Sequence, residues 1–163
     1  MNTATRSAKL HRRPLEDVPI PVRLKLSTLW VSVMFLYVYV DIFGFYKPGT
    51  IPDILLGRVW EFDITQAWAL GALALMTIPI LMVFLSLALP APAARRTNIV
   101  VASLFLLVSI GNTVGETWVF SWVGSAFEAA LLLLVVWYAL KWPRPFKTGS
   151  EPVTVEPIAV GRR

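Results

Sequence analysis

The chain has 163 residues, 56% hydrophobic and only 15% charged, a balance well to the apolar side of soluble domains. Its formal charge of +5 comes from 15 Lys and Arg against 10 Asp and Glu, yet between Leu26 and Leu140 the only basic residues are Lys47, Arg58, Arg95 and Arg96, so no basic groove for nucleic acid is built. There is no cysteine and a single histidine, His11 in a polar segment, which excludes disulfides, thiol redox chemistry and cysteine-ligated metals; no metal or cofactor is expected.

Taken in chain order, residues 1–22 contain Pro14, Pro19 and Pro21 among basic residues and are expected to form a disordered cytoplasmic tail that leans on anionic lipid. The tail is too polar, and the apolar stretch after it too long, for a cleaved leader, so the first span is expected to stay as an anchor. Residues 26–45 carry one charge, Asp41, and about 20 residues at 1.5 Å rise cross the hydrocarbon core. Thr50-Ile-Pro-Asp53 is read as the start of a short helix whose Ile54, Leu55, Val59 and Trp60 lie along the interface, as a lid. Asp63-Ile-Thr-Gln66 has capping-box character ahead of an uncharged second span, 67–89, interrupted by Gly71 and Pro79. Arg95 and Arg96 are assigned to a loop, and Thr97 and Asn98 to the cap of the third span. Residues 99–140 would run about 63 Å as one helix, twice the membrane, so Gly115, Glu116 and Gly124 near the middle divide them into spans 99–115 and 123–140. Residues 143–163 are expected to be a second disordered cytoplasmic tail. The membrane domain is thus 23–142, an all-α four-helix transmembrane bundle with a short interfacial segment between helices one and two.

Lys and Arg divide 13 to 2 between the two sides, with only Lys47 and Arg58 on the poorer one, so both termini are expected on the cytoplasmic side of a multi-pass protein. Aromatic residues fall near the same boundaries: Trp30, Trp137, Tyr138 and Trp142 at the inner interface, and Tyr46, Trp60, Trp68, Trp118 and Trp122 at the outer one, unless they belong to the core.

Ionisable side chains inside a span cost at least about 2.5 kcal/mol at the bilayer centre, so each needs an explanation. Asp41, Asn112, Glu116 and Glu128 all fall toward the outer side, and the inner half offers hydroxyls such as Ser32, Ser86 and Ser103. Asp41, with Tyr37 four residues earlier on the same helical face, is either a ligand, ion or proton site or half of a structural pair with Lys47 or Arg58. Glu128 is read as the fourth residue of a capping box, Ser125-Ala-Phe-Glu128, at the start of the last span, or as a second site carboxylate. Asn112 lines a pocket or bonds a neighbouring helix, and Gly111 and Gly115 are spaced as a small-residue packing face. The candidate polar site is therefore Asp41, Tyr37, Asn112, Glu116 and Glu128. With no Cys nucleophile, no His in the bundle and no Gly-rich phosphate loop, an enzyme is not expected.

Lys25-Leu-Ser-Thr-Leu-Trp30, Tyr39, Asp41-Ile42 and Pro48-Gly49, followed by Ile78-Pro-Ile80, Met82 and Phe84-Leu-Ser86, resemble a domain-of-unknown-function family of small four-helix bacterial integral membrane proteins, over roughly Lys25 to Trp142. The resemblance implies a fold and a bacterial inner membrane, and carries no activity. Two functions remain open: passage or binding of a small solute or proton at an outward-facing polar site, for which a homo-oligomer would be needed in most transport schemes, and a non-catalytic structural or accessory subunit of a membrane complex.

Overall fold

The structure, a computed structural model, describes residues 18–143; the expected tails lie almost wholly outside them. Four long helices, α1 (Val22–Gly44), α3 (Gln66–Ala88), α4 (Ala91–Asn112) and α5 (Val119–Leu140), are joined by a short helix α2 (Thr50–Leu55) and a minimal hairpin, β1 (Arg58–Val59) with β2 (Phe62–Asp63). Each long helix is long and apolar enough to cross a membrane, at about 33 Å for 22 residues.

Proline and glycine explain most of the boundaries. Pro21 takes an extended conformation and sets the first turn of α1 behind it. The hairpin between α2 and α3 was not expected; Gly57, at φ +81°, ends α2 in the left-handed region and redirects the chain into β1. The cap of α3 is Thr65, whose hydroxyl accepts from the Trp68 amide at 3.1 Å, and Asp63 sits instead in β2. Between α3 and α4 only Leu89 and Pro90 intervene. Thr97 and Asn98 are therefore not a cap, and Arg95 and Arg96 are not in a loop: Pro90 as the N-cap and proline in the first helical turn start α4 at Ala91. The hairpin of the last two spans turns at Gly115, φ +80°, while Gly124 lies within α5.

Successive helices run antiparallel, so the start of α1, the α3–α4 turn and the end of α5 share one face, termed here the terminal face. The α1–α3 connection and the α4–α5 turn form the loop face. α1 packs against α3 and α5, and α4 against α5 and more loosely against α3. At the terminal face two arginines close helix ends whose carbonyls lack intrahelical partners. Arg23 donates to the carbonyls of Leu87 and Leu89 at 2.7 and 2.8 Å, and Arg95 to that of Ala139 at 3.0 Å. Their positive charge is also favourable against the C-terminal dipoles of α3 and α5.

The core follows helical spacing: Leu26, Trp30, Val33 and Tyr37 on α1, Ala102 and Phe105 on α4, Leu132, Val135 and Ala139 on α5, with Met82 from α3. Phe105 lies between Trp30 and Tyr37, with ring centroids 6.5 and 6.3 Å away. Trp30 is thus a core residue rather than part of an interfacial belt. At the loop face α1 and α5 meet at Gly124, where a Cβ would come within 2.6 Å of Val40 Cγ2. Gly111 has open space around it and Gly115 belongs to the turn, so the packing glycine is Gly124 and not that pair.

Candidate functional site

One turn deeper than the Val40–Gly124 contact, three helices bring a tyrosine, a serine and a glutamate together. Tyr37 projects from α1, Ser109 from the last turn of α4 and Glu128 from α5, and their exposures are 7%, 1% and 3%. The Ser109 hydroxyl donates to Glu128 Oε2. The Tyr37 hydroxyl lies beside Ser109, yet it meets hydrogen-bond geometry with no group, and it is the one buried side-chain polar atom without a partner among the described residues. A buried polar atom left unpaired is costly, which marks this spot as different from ordinary packing.

Asp41 stands one turn above Tyr37 on the same face of α1 and is exposed. Among the described residues neither this carboxyl group nor that of Glu128 is in an ion pair; the ion pair found there joins Lys47 to Glu116. Lys47 therefore does not serve Asp41 as expected, because the turn after α4 presents a nearer carboxylate. Glu128 is not in a capping box either. The last span begins at Val119 with Trp118 as its N-cap, placing Glu128 in the interior of the helix where the backbone amides are already bonded to carbonyls.

Glu116 sits in the α4–α5 turn and does local work. Its Oε1 accepts from the amides of Thr117 and Trp118 at 2.9 and 3.0 Å, its Oε2 accepts from Lys47 and its backbone carbonyl from the Trp122 indole at 3.1 Å. Burial alone would push this carboxyl up, but the Lys47 bond and the two amides outweigh it and hold it below the ordinary 4.5. Asn112 ends α4, exposed, and takes no part in the Ser109–Glu128 contact. Of the five expected residues, then, the structure brings together Tyr37, Glu128 and Asp41, and sets Glu116 and Asn112 apart.

Two further residues carry buried polar contacts: Ser109, which the sequence reading does not single out, and Asn98, which it expected as a helix cap. Ser109 is the first; Asn98 is the second, fully buried at the other end of the same helix, where its Oδ1 accepts from the Trp30 indole at 2.7 Å and its amide donates to the Ala94 carbonyl at 2.8 Å. Both lie on the seam Asn98, Ala102, Phe105, Ser109, whose alternating four- and three-residue spacing was the available signal. Among the described residues no three of His, Asp and Glu converge on a point, so the acids offer at most a two-carboxylate set to a metal.

A chain of four apolar helices with a partly satisfied acidic cluster at one end belongs to the class of multi-pass membrane proteins. Over residues 22–148 it matches a family of unknown function, DUF6326, and it belongs to that family. No curated protein and no solved structure matches the chain.

Proposed function

We propose that this is a non-enzymatic protein of a bacterial cytoplasmic membrane, with both termini in the cytoplasm, whose loop face presents an outward-facing site for a proton or a small cationic solute. The orientation is supported by the 13-to-2 division of Lys and Arg, in which Arg95 and Arg96 stay on the terminal side although they lie inside α4. On that face Lys25 and Lys141 stand over the rings of Tyr138 and Trp137, a basic and aromatic collar suited to anionic headgroups.

The observation that carries the site is Glu128: an acid 3% exposed in an apolar bundle, supported by one serine hydroxyl, beside a tyrosine hydroxyl without a partner, with a second acid on the same face of α1, and with no basic side chain among the described residues paired to either acid. A buried anion in a medium of low dielectric is expensive, and a proton or a cation taken up there removes the expense. Infrared titration of the purified protein in lipid vesicles should therefore show a protonated-carboxyl band that varies with pH, that Glu128→Gln removes and that Asp41→Asn shifts.

A second reading follows from the Ser109–Glu128 bond itself, which ties α4 to α5 as interhelical hydrogen bonds do in accessory subunits. Glutamine keeps the acceptor oxygen. Absence of any titrating band in the wild type, with lost assembly only when Glu128 becomes Leu, would favour that structural role.

A further inference from the structure

Acids and bases are sorted to opposite ends of the bundle. Among the described residues every acid, Asp41, Asp53, Glu61, Asp63, Glu116 and Glu128, lies in the half nearer the loop face, whereas the terminal face carries Arg23, Lys25, Arg95, Arg96 and Lys141. Arg23 and Arg95 are committed to helix-end carbonyls. Lys25, in the first turn of α1, and Lys141, at the end of α5, enter no ion pair among the described residues. Each lies instead over an aromatic face, Lys25 Nζ 5.3 Å from the centroid of Tyr138 and Lys141 Nζ 4.4 Å from that of Trp137, and the two rings meet edge to face with centroids 4.7 Å apart. Two ammonium groups are thereby held on either side of one aromatic step, where the start of α1 meets the end of α5.

A free lysine stem samples many rotamers, and an anion that binds it must first hold it still; a ring beneath the ammonium group has already done part of that. The ring face attracts the charge but takes no strong hydrogen bond, so the N–H donors of both lysines remain to be satisfied by water or by an anion. The Trp137 indole N–H and the Tyr138 hydroxyl bring further donors to the same level. One turn earlier on α5, Leu133 and Leu134 are exposed, so an apolar flank runs from the cationic step toward the middle of the bundle. A cationic step above an apolar flank complements a molecule with an anionic head and hydrocarbon chains. We propose that Lys25 and Lys141, on their Tyr138–Trp137 step, form a binding site for the headgroup phosphate of one anionic phospholipid, whose chains lie along the exposed flank of α5. The proposal deepens the reading of the terminal face as a collar for anionic headgroups by assigning one place on it to one lipid. It rests on the reading of the chain as a membrane protein and is independent of the acid at Glu128.

The test is native mass spectrometry of the full-length protein in a mild neutral detergent, titrated with phosphatidylglycerol or with phosphatidylcholine of the same chains. The first phosphatidylglycerol should bind at least about tenfold more tightly than phosphatidylcholine, and Lys25→Gln combined with Lys141→Gln should remove most of that preference. Lys141→Gln alone, at an exposed position beyond α5, serves where the double variant fails to fold, and should weaken binding several-fold; Trp137→Leu should weaken it in the same direction by about threefold or less. Arg96→Gln removes an exposed cation of the same face that stands over no ring among the described residues, and should leave the first binding event unchanged. Equal binding of the two lipids would overturn the site. An equal loss in Arg96→Gln and Lys141→Gln would overturn it too, because the attraction would then follow net charge and not place. Neither outcome touches the infrared titration of Glu128, whose failure would in turn leave the lipid site standing.

Discussion

The protein holds two buried polar clusters, one at each end of the same helix seam, and they are finished to different degrees. Toward the terminal face, Asn98 of α4 accepts from the Trp30 indole of α1, lies 3.1 Å from the Ser86 hydroxyl of α3 and donates to its own helix, while Ser86 also has the Met82 carbonyl at 2.6 Å. Every buried side-chain polar atom there has a partner, and no member is charged. Toward the loop face, Ser109 and Glu128 share one bond, Tyr37 has none, and Asp41 adds a second uncompensated acid. A network in which all members are satisfied stiffens a bundle and specifies which helix faces which; one left open retains capacity for something else. The difference teaches where to look for structure and where to look for ligand.

The largest expected effect comes from breaking the finished cluster. Asn98→Leu leaves the Trp30 indole N–H buried without an acceptor, and a loss of about 2 kcal/mol is expected, against less than about 1 kcal/mol for Ser109→Ala at the open cluster. Denaturant unfolding in micelles, followed by tryptophan fluorescence, measures both, and equal losses would erase the distinction between the two ends. The next effect concerns what holds the open cluster in place. Gly124→Ala puts a methyl group against Val40, a short β-branched side chain with little freedom to withdraw, so α1 and α5 must separate locally at a cost of about 1 to 2 kcal/mol. If Gly124→Ala were as stable as the wild type, the close approach of the two helices at the mouth of the site would not be real.

Much of this was legible in the residues. Long uncharged runs fixed the number of helices because a membrane-spanning segment needs length and apolarity above all, and Gly115 announced the last turn. The start of α4 lies earlier than Arg95 and Arg96 suggest, because Pro90 and the proline after it are the stronger signal and an arginine can reach a neighbouring helix end from within a helix. Asp41, Tyr37 and Glu128 could be named from their chemistry, yet nothing in the sequence says that Ser109 stands between Tyr37 and Glu128, since that depends on how three helices rotate about their axes. Glu128 was misread for a related reason: a four-residue capping pattern inside an apolar run has no meaning until the true helix start, six residues before Ser125, is known.

The smallest effect separates the open cluster from the ion pair above it. Lys47 follows α1 and Glu116 precedes α5, so their bond closes the loop face over the helix ends whose interior acids have no such partner. The two side chains are 19% and 12% exposed, a partly shielded pair, and Lys47→Met should cost no more than about 1 kcal/mol at neutral pH. Because Glu116 is held below its ordinary 4.5 in the folded protein, the stability it contributes is present above that value and is lost as the pH falls through the lower folded one. The difference in unfolding midpoint between wild type and Lys47→Met should therefore narrow as the pH falls through the lowered folded value of Glu116, below which its protonated carboxyl no longer attracts the ammonium group. A difference that stayed constant would mean that Lys47 acts through its ammonium group over the face of Phe120, 5.3 Å from the ring centroid, and that the loop face is closed by that contact rather than by the ion pair.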